Sequence, residues 1–111
     1  MIEKIMFDYL NDKLSVGAYM ERPETPPESY VVIEKTGSSK ENQIVTSVLA
    51  FQSYAKTLAS AASLNELVKA VVEESSELTD ISGVHLNTDY NFTKPDSKQY
   101  RYQAVFLITH Y

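Results

Sequence analysis

The stretch QYRYQAVFLITH, residues 99–110, decides the fold. In its first half the residue types alternate, with Tyr100 and Tyr102 on one face of an extended strand and Arg101 and Gln103 on the other. Its second half, from Val105 onward, is apolar on both faces. A strand of this kind needs cover on both sides, so we predict that it is central in its sheet or lies under a helix.

The neighbouring segments predict further strands, mostly arranged in hairpins. Residues 30–35 (YVVIEK) and 43–54 (QIVTSVLAFQSY) are β-branched and aromatic, and the polar residues 36–42 (TGSSKEN) predict a long loop between them. Residues 84–93 alternate between an apolar and a polar face, after a turn over 80–83 and before a turn over 93–97. A short extended segment over 16–20 precedes a proline-rich loop over 22–29.

Two segments predict helices. Residues 2–14 carry apolar side chains with the spacing of one buried helical face. Residues 56–78 carry a second stripe that includes Leu64, Val68 and Val72. Either Thr57 or Ser63 could cap the start of this helix; Ser63 with Glu66 fits a capping box, but we favour a start near residue 57.

The predicted element order is therefore α-β-β-β-α-β-β. Hairpin-connected strands favour a mainly antiparallel sheet with both helices packed on one face, which is an α+β fold. The chain has 111 residues, of which 43% are hydrophobic and 23% charged. These values predict one globular domain over residues 1–111.

Composition excludes several kinds of function. There is no cysteine, so a thiol nucleophile or a cysteine-based metal site is impossible. The net charge is −5 and the arginines are Arg22 and Arg101 alone, which is a poor match to a nucleic-acid-binding protein. His85 and Asp89 share the polar face of their predicted strand, but about 13 Å separates them along it, too far to chelate one ion. We expect both histidines to be surface residues and no cofactor to be required.

No segment predicts a catalytic or membrane-bound protein. Gly17, Gly37 and Gly83 are too widely separated to form a phosphate-binding loop, and no serine lies in a nucleophile elbow. No apolar run approaches the ~20 residues of a membrane span, so we expect a soluble protein of the cytoplasm with no membrane contact. The acidic end of the second helix, at Glu73, Glu74 and Glu77, is interpreted as a solvated face.

Tyrosines are the unusual feature of the composition. There are eight, and Tyr100 and Tyr102 flank Arg101 near the last hairpin turn. Because tyrosine and arginine are enriched at protein interfaces, we interpret these residues as core or subunit contacts rather than as base-stacking residues. The small size, acidity and lack of a convergent site favour a role in assembly.

Four segments carry a family resemblance. The first joins MERP (20–23) to PESYVVIEKTG (27–37), and the others are LNELV (64–68), LNTDYNFT (86–93) and KQYRYQAV (98–105). Their order and spacing, over nearly the whole chain, resemble those of small tail completion (tail terminator) proteins of long-tailed phages and prophages of Gram-positive bacteria. The chain length and the predicted element order agree with this family.

The resemblance implies a hexameric ring on the head-proximal end of the phage tail tube. Such a ring ends tube polymerisation and offers the joining surface for the head connector. The implied partners are other copies of the chain, the major tail (tube) protein and the head–tail connector proteins. DNA would pass through the lumen without specific binding. The implied location is the virion tail, after assembly in the host cytoplasm, and no catalytic residue is implied.

The long polar loops are the expected contact sites in such a ring. We expect the loops over residues 23–29 and 36–42 to contact neighbouring subunits or tail proteins. Together with the tyrosine-rich strand they give the candidate interaction residues, which are Glu24, Glu28, Ser38, Ser39, Lys40, Glu41, Tyr100, Arg101 and Tyr102. The alternatives are a head–tail connector component, a tail tube subunit, a small enzyme or ligand-binding module, and a regulator that binds host proteins.

Overall fold

The computed structural model describes residues 1–95 and 99–111. In chain order the elements are helix α1 (Ile2–Lys13), strands β1 (Gly17–Tyr19), β2 (Tyr30–Glu41) and β3 (Ile44–Ala55), helix α2 (Leu58–Glu74) with a 3₁₀ turn (Ser75–Glu77), and strands β4 (Ile81–Asn91) and β5 (Tyr100–His110). This order confirms the predicted α+β class. The turn predicted over residues 93–97 lies partly outside the described residues.

The strands form one five-stranded sheet in the order β1-β2-β3-β5-β4. β1 runs parallel to β2, and the other neighbouring pairs are antiparallel. β5 therefore lies between β3 and β4, and its residues Ala104, Phe106 and Ile108 are fully buried. The central position predicted for the strand over residues 99–110 is confirmed.

Both helices pack on the same face of the sheet, as predicted. Their apolar side chains share one core with alternate residues of the strands. Full burial of one valine, leucine, isoleucine, phenylalanine or methionine side chain stabilises the fold by about 1.5–3 kcal/mol. Its members include Ile2, Met6 and Leu10 of α1, Val68 and Val72 of α2, and Ile33, Leu49, Phe51 and Phe106 of the sheet.

Side-chain hydrogen bonds attach α1 to its surroundings. The Asn11 side chain donates from Nδ2 to the Ala18 carbonyl (3.1 Å) and accepts the Ala18 N–H at Oδ1 (2.9 Å), which joins the helix to β1. The Tyr9 hydroxyl donates to the Val71 carbonyl of α2 at 2.8 Å. These bonds set the position of α1 against both neighbours.

Helix α2 begins at Leu58 because Thr57 caps it. The Thr57 Oγ1 atom accepts the N–H of Ser60 at 3.1 Å, which satisfies a donor that the helix itself leaves unpaired. This confirms the start near residue 57 and not the alternative at Ser63. Within the described residues, neither helix is long and apolar enough to cross a membrane.

The predicted loop over residues 36–42 is wrong. β2 continues to Glu41, and the reversal is made by Asn42 and Gln43 alone, whose φ angles are 50° and 67°. Asparagine tolerates this left-handed region, which the tightest hairpin turns require. The outer edge of β2 is paired with β1 only over Tyr30–Val32, so the polar side chains beyond face water and do not prevent strand formation.

The alternation predicted for residues 84–93 is also wrong in part. The pairing passes from Leu86–Phe106 to Thr88–Val105, so Asn87 is an extra residue in β4. A bulge of this kind exchanges the two faces for all later residues of the strand. His85 and Asp89 consequently lie on opposite faces and not on one. The turn predicted at 80–83 is shorter, because β4 begins at Ile81.

Candidate interaction surface

The sheet face opposite the helices carries a second, smaller cluster. It consists of Tyr30, Val32 and Tyr54 with Tyr19 packed against them, and among the described residues it includes no helical residue. We call this surface the helix-free face. Its central residues are Tyr30, Val32, Gln52, Tyr54, Tyr90, Arg101 and Gln103, which the strand register places in adjacent rows.

A chain of polar side chains crosses four strands of this face. Gln103 donates from Nε2 to the Tyr90 hydroxyl at 2.6 Å, and Gln52 donates from Nε2 to Gln103 Oε1 at 2.9 Å and to Glu34 Oε2 at 3.2 Å. The exposed fractions of Gln52 and Gln103 are only 7% and 8%. An amide that loses its partner at such a position costs about 1–3 kcal/mol, so these side chains are held in one arrangement.

A row of aromatic rings and one guanidinium lies beside the glutamine chain. The rings of Tyr30 and Tyr54 stack with centroids 4.6 Å apart. Arg101 donates from Nη1 to the Tyr54 hydroxyl at 2.8 Å and from Nε to the Phe92 carbonyl at 2.7 Å. Its guanidinium carbon also lies 4.3 Å from the centroid of the Phe92 ring, a cation–π contact. The row is continuous with Tyr90, whose ring lies edge-on to Phe92 at 5.6 Å.

The segment after β1 completes this end of the face. Arg22 donates from Nη2 to Gln99 Oε1 at 3.3 Å, and the Tyr30 hydroxyl donates to the same oxygen at 3.2 Å. Burial raises the pKa of Tyr30, and the nearby Arg22 opposes part of that rise. The phenol therefore stays protonated and keeps its donor role at neutral pH.

The structure separates the three predicted residues of the tyrosine-rich strand. Arg101 lies on the helix-free face, where it joins the aromatic row. Tyr100 and Tyr102 point to the helix-covered side, because they pair with Ala55 and Ser53 of β3. The alternation of the strand predicted this opposition of faces, whereas Tyr30, Tyr54 and Gln52 of the same surface were not among the predicted residues. The alternation of Gln52 and Tyr54 with buried Phe51 was the available signal.

The other predicted interaction residues lie at two further places. Ser38, Ser39, Lys40 and Glu41 are all exposed, and they form the last part of β2 rather than a loop. Glu28 is exposed and forms an ion pair with Lys56 at 3.2 Å. Glu24 lines a groove together with Phe7 and Tyr19. None of these residues lies in the rows of the helix-free face that contain or adjoin Gln103.

One charged cluster lies on the helix-covered side. Asp89 Oδ2 accepts hydrogen bonds from Lys69 and Asn65, both at 2.9 Å. The bond from Lys69 lowers the pKa of Asp89, the Asn65 bond adds to this, and burial opposes both. The bond to Asp89 likewise raises the pKa of Lys69, with Glu66 contributing next. The cluster fastens α2 to β4.

The described residues offer little for covalent or metal chemistry. No group of His, Asp and Glu among them could hold a metal ion. Ser47 Oγ lies 2.8 Å from His110 Nε2, but Ser47 is fully buried and Nδ1 of His110 faces the Tyr111 carbonyl at 3.4 Å. A serine nucleophile needs exposure and an oriented base, so we interpret this pair as structural. His85 is exposed and His110 is partly exposed.

Fold and surface together define an α+β domain with one helix-covered sheet face and one face of ordered tyrosine, glutamine and arginine side chains. No protein-family model matches the chain, and no curated protein matches it significantly. Its function is therefore argued from the helix-free face and from the family resemblance of the sequence.

Proposed function

We propose that this protein is a structural subunit of a phage virion that closes the head-proximal end of the tail tube. Copies of the chain form a ring, a hexamer in the resembling family, which ends tube polymerisation and offers a joining surface to the head connector. The proposal rests on that resemblance, and the α-β-β-β-α-β-β order agrees with it. Assembly takes place in the host cytoplasm, and the finished ring belongs to the virion tail.

The helix-free face is the structural observation that carries this proposal. Tyr90 and Phe92 are 40% and 39% exposed on it, although hydrogen bonds and ring contacts hold both in place. Tyrosine, phenylalanine and arginine are the side chains that protein interfaces favour. Ordered side chains lose less entropy on association, so this surface is suited to a fixed partner.

A ring imposes a further requirement on the surface. Its contacts are head-to-tail, so each subunit presents two different patches, and the rotation between subunits must close. The helix-free face supplies one patch. The outer edge of β2 beyond Val32, which carries Ser38, Ser39, Lys40 and Glu41, is a candidate for the second.

Light scattering with negative-stain microscopy tests the proposal on the purified full chain. We expect closed rings of one size. Open polymers of indefinite length would favour the tail tube subunit, and a monomer at the highest attainable concentration would contradict self-association. Tyr90→Ala should lower the ring fraction, and the isolated subunit should lose about 1–3 kcal/mol of stability because Gln103 Nε2 loses the hydroxyl that accepts its hydrogen bond.

Leu67→Ala is the matched control for that variant. Leu67 is an apolar residue of α2 with 50% exposure, and it does not belong to the helix-free face. We expect this variant to form rings as the unmodified chain does. A loss of rings in Leu67→Ala together with normal rings in Tyr90→Ala would place the interface on the helices and contradict the role given to the helix-free face.

A further inference from the structure

A small cavity at the end of the helix-free face is lined by three basic residues, although the protein as a whole is acidic. It measures about 50 Å³ and is lined by Arg22, Tyr54, Lys94, Gln99 and Arg101. The chain has no arginine besides Arg22 and Arg101, and its net charge is −5. The convergence of both arginines with a lysine is therefore a property of the fold and not of the composition.

Arg101 is held rigidly in the wall of this cavity. Its Nε and Nη1 atoms donate to the Phe92 carbonyl and the Tyr54 hydroxyl, and its guanidinium carbon lies 4.3 Å from the centroid of the Phe92 ring. Its Nη2 atom makes no hydrogen bond to the residues that the structure describes. A guanidinium that is already oriented loses little entropy when it binds a ligand.

The other cations of the cavity are not neutralised within residues 1–95 and 99–111. The ion pairs of this part of the chain use Lys4, Lys13, Lys56 and Lys69, and none uses Arg22, Lys94 or Arg101. No aspartate or glutamate is among the described lining residues. Arg22 is exposed, and the partners of its guanidinium among the described residues are the neutral side chains of Gln99, at 3.3 Å, and Tyr30.

We propose that this cavity is a binding site for a single carboxylate group. A carboxylate is planar and offers two oxygens, which match the paired donors of a guanidinium. Since a water needs about 10–15 Å³ of cavity volume, the cavity has room for a few waters or one small group and not for a nucleoside. The negative charge of the whole protein also disfavours a polyanion such as nucleic acid. The inference goes beyond the proposed ring and does not depend on it.

The carboxylate has two possible sources, a second copy of the chain or another molecule. The chain's own acidic group, Glu73, Glu74 and Glu77, lies at the other end of the domain. The register shows this, because Ala55 just before α2 pairs with Tyr100, whereas Ile81 just after it pairs with His110. If a second copy supplies the carboxylate, the acidic end of that copy would meet the cationic end of the first, a contact separate from the ring patches proposed above.

Arginine side-chain NMR tests the site directly, because the chain contributes only two Nε–H signals. Dilute protein is titrated with sodium acetate, and sodium chloride keeps the ionic strength constant. We expect both signals to shift and to saturate. Arg22→Gln removes one signal and should weaken acetate binding, followed on Arg101, about tenfold, the loss of one charge-assisted hydrogen bond. Arg22 is exposed, so this variant is expected to fold.

Lys40→Gln is the control, since it also removes one positive charge but lies on β2 away from the cavity. It should bind acetate as the unmodified chain does. A linear drift without saturation, the same shifts with chloride, or equal weakening by Lys40→Gln would overturn the proposal. Tighter binding of phosphate than of acetate at equal ionic strength would also overturn it.

Protein concentration separates the two sources. If a second copy supplies the carboxylate, the arginine signals shift as the protein concentration rises, and acetate reverses this self-association. Replacing Glu73, Glu74 and Glu77 together by glutamine then abolishes the concentration dependence. If another molecule supplies it, only acetate shifts the signals. Both results support the site, and the acetate titration of the dilute protein is valid whether or not rings form.

Discussion

On the helix-covered face of the sheet, Leu49, Phe51 and Phe106 lie in an apolar core, whereas Gln52, Arg101 and Gln103 on the helix-free face are held by hydrogen bonds. The two sets alternate along the same strands. Apolar burial is strong but non-directional, and hydrogen bonds are weaker but fix orientation. The contrast indicates that apolar burial on one face supplies much of the stability while hydrogen bonds hold the side chains of the other in a defined pattern, which we propose is presented to a partner.

The largest expected effect comes from truncating the core on the helix-covered face. Phe106→Ala should lower the free energy of unfolding by about 4 kcal/mol, because it removes a fully buried ring that stacks edge-on against Phe51. Urea denaturation measures the loss. The neighbouring Leu107→Ala acts on the half-buried helix-free face and should cost only about 1 kcal/mol. Equal losses would contradict the division between the faces.

A smaller effect is expected from the one charged cluster on the helix-covered side. Asp89→Asn should cost about 2 kcal/mol at neutral pH, since it weakens the bonds from Lys69 and Asn65. The folded pKa of Asp89 lies below its ordinary value of 3.8, so the carboxylate stabilises the fold above that value. Its contribution is lost as the pH falls from there through the lower folded value.

Denaturation at several pH values checks this sign. The difference between the unmodified chain and Asp89→Asn should be constant near neutrality and shrink in the acid range. The raised pKa of Lys69 predicts a second loss of stability in alkali, as the pH rises above its ordinary value of 10.5. Asp8→Asn, which breaks an exposed ion pair with Lys4, should change stability little. A loss of stability in Asp8→Asn larger than in Asp89→Asn would mean that exposed ion pairs, and not the Asp89 cluster, supply the stabilisation.

The smallest expected effect has the opposite sign. The Ser53 hydroxyl is buried on the helix-covered side and has no hydrogen-bond partner among the residues described. Ser53→Ala should therefore raise the free energy of unfolding, by up to about 1 kcal/mol. Ser47→Ala is the control, because its hydroxyl contacts His110, and we expect a loss of similar size. Calorimetric melting of both variants distinguishes the two cases.

The predictable part of the fold came from residues whose environment is local. The stripe of α1 and the doubly apolar half of β5 reflect burial of each element, and the cap at Thr57 is a hydrogen bond to a residue three positions away. These local patterns therefore predicted the helices and the central strand. The polar residues 36–42 were predicted as a loop because a strand that is exposed on both faces carries polar residues throughout, as a loop does. Of the candidate site, Arg101 was predicted, while Arg22 was not, because it reaches the cavity only through the connection after β1.

The sequence by itself determined the element order, the α+β class and the faces of β3, of β5 and of residues 84–86 in β4, because hydrophobic periodicity records burial residue by residue. Only the tertiary structure decided which faces the residues beyond the bulge at Asn87 occupy and which rows meet across the sheet. A bulge depends on the pairing energy of two strands, and no periodicity within one strand reports it. For the same reason, only the folded chain brings Arg22, Tyr54 and Arg101 into one cavity.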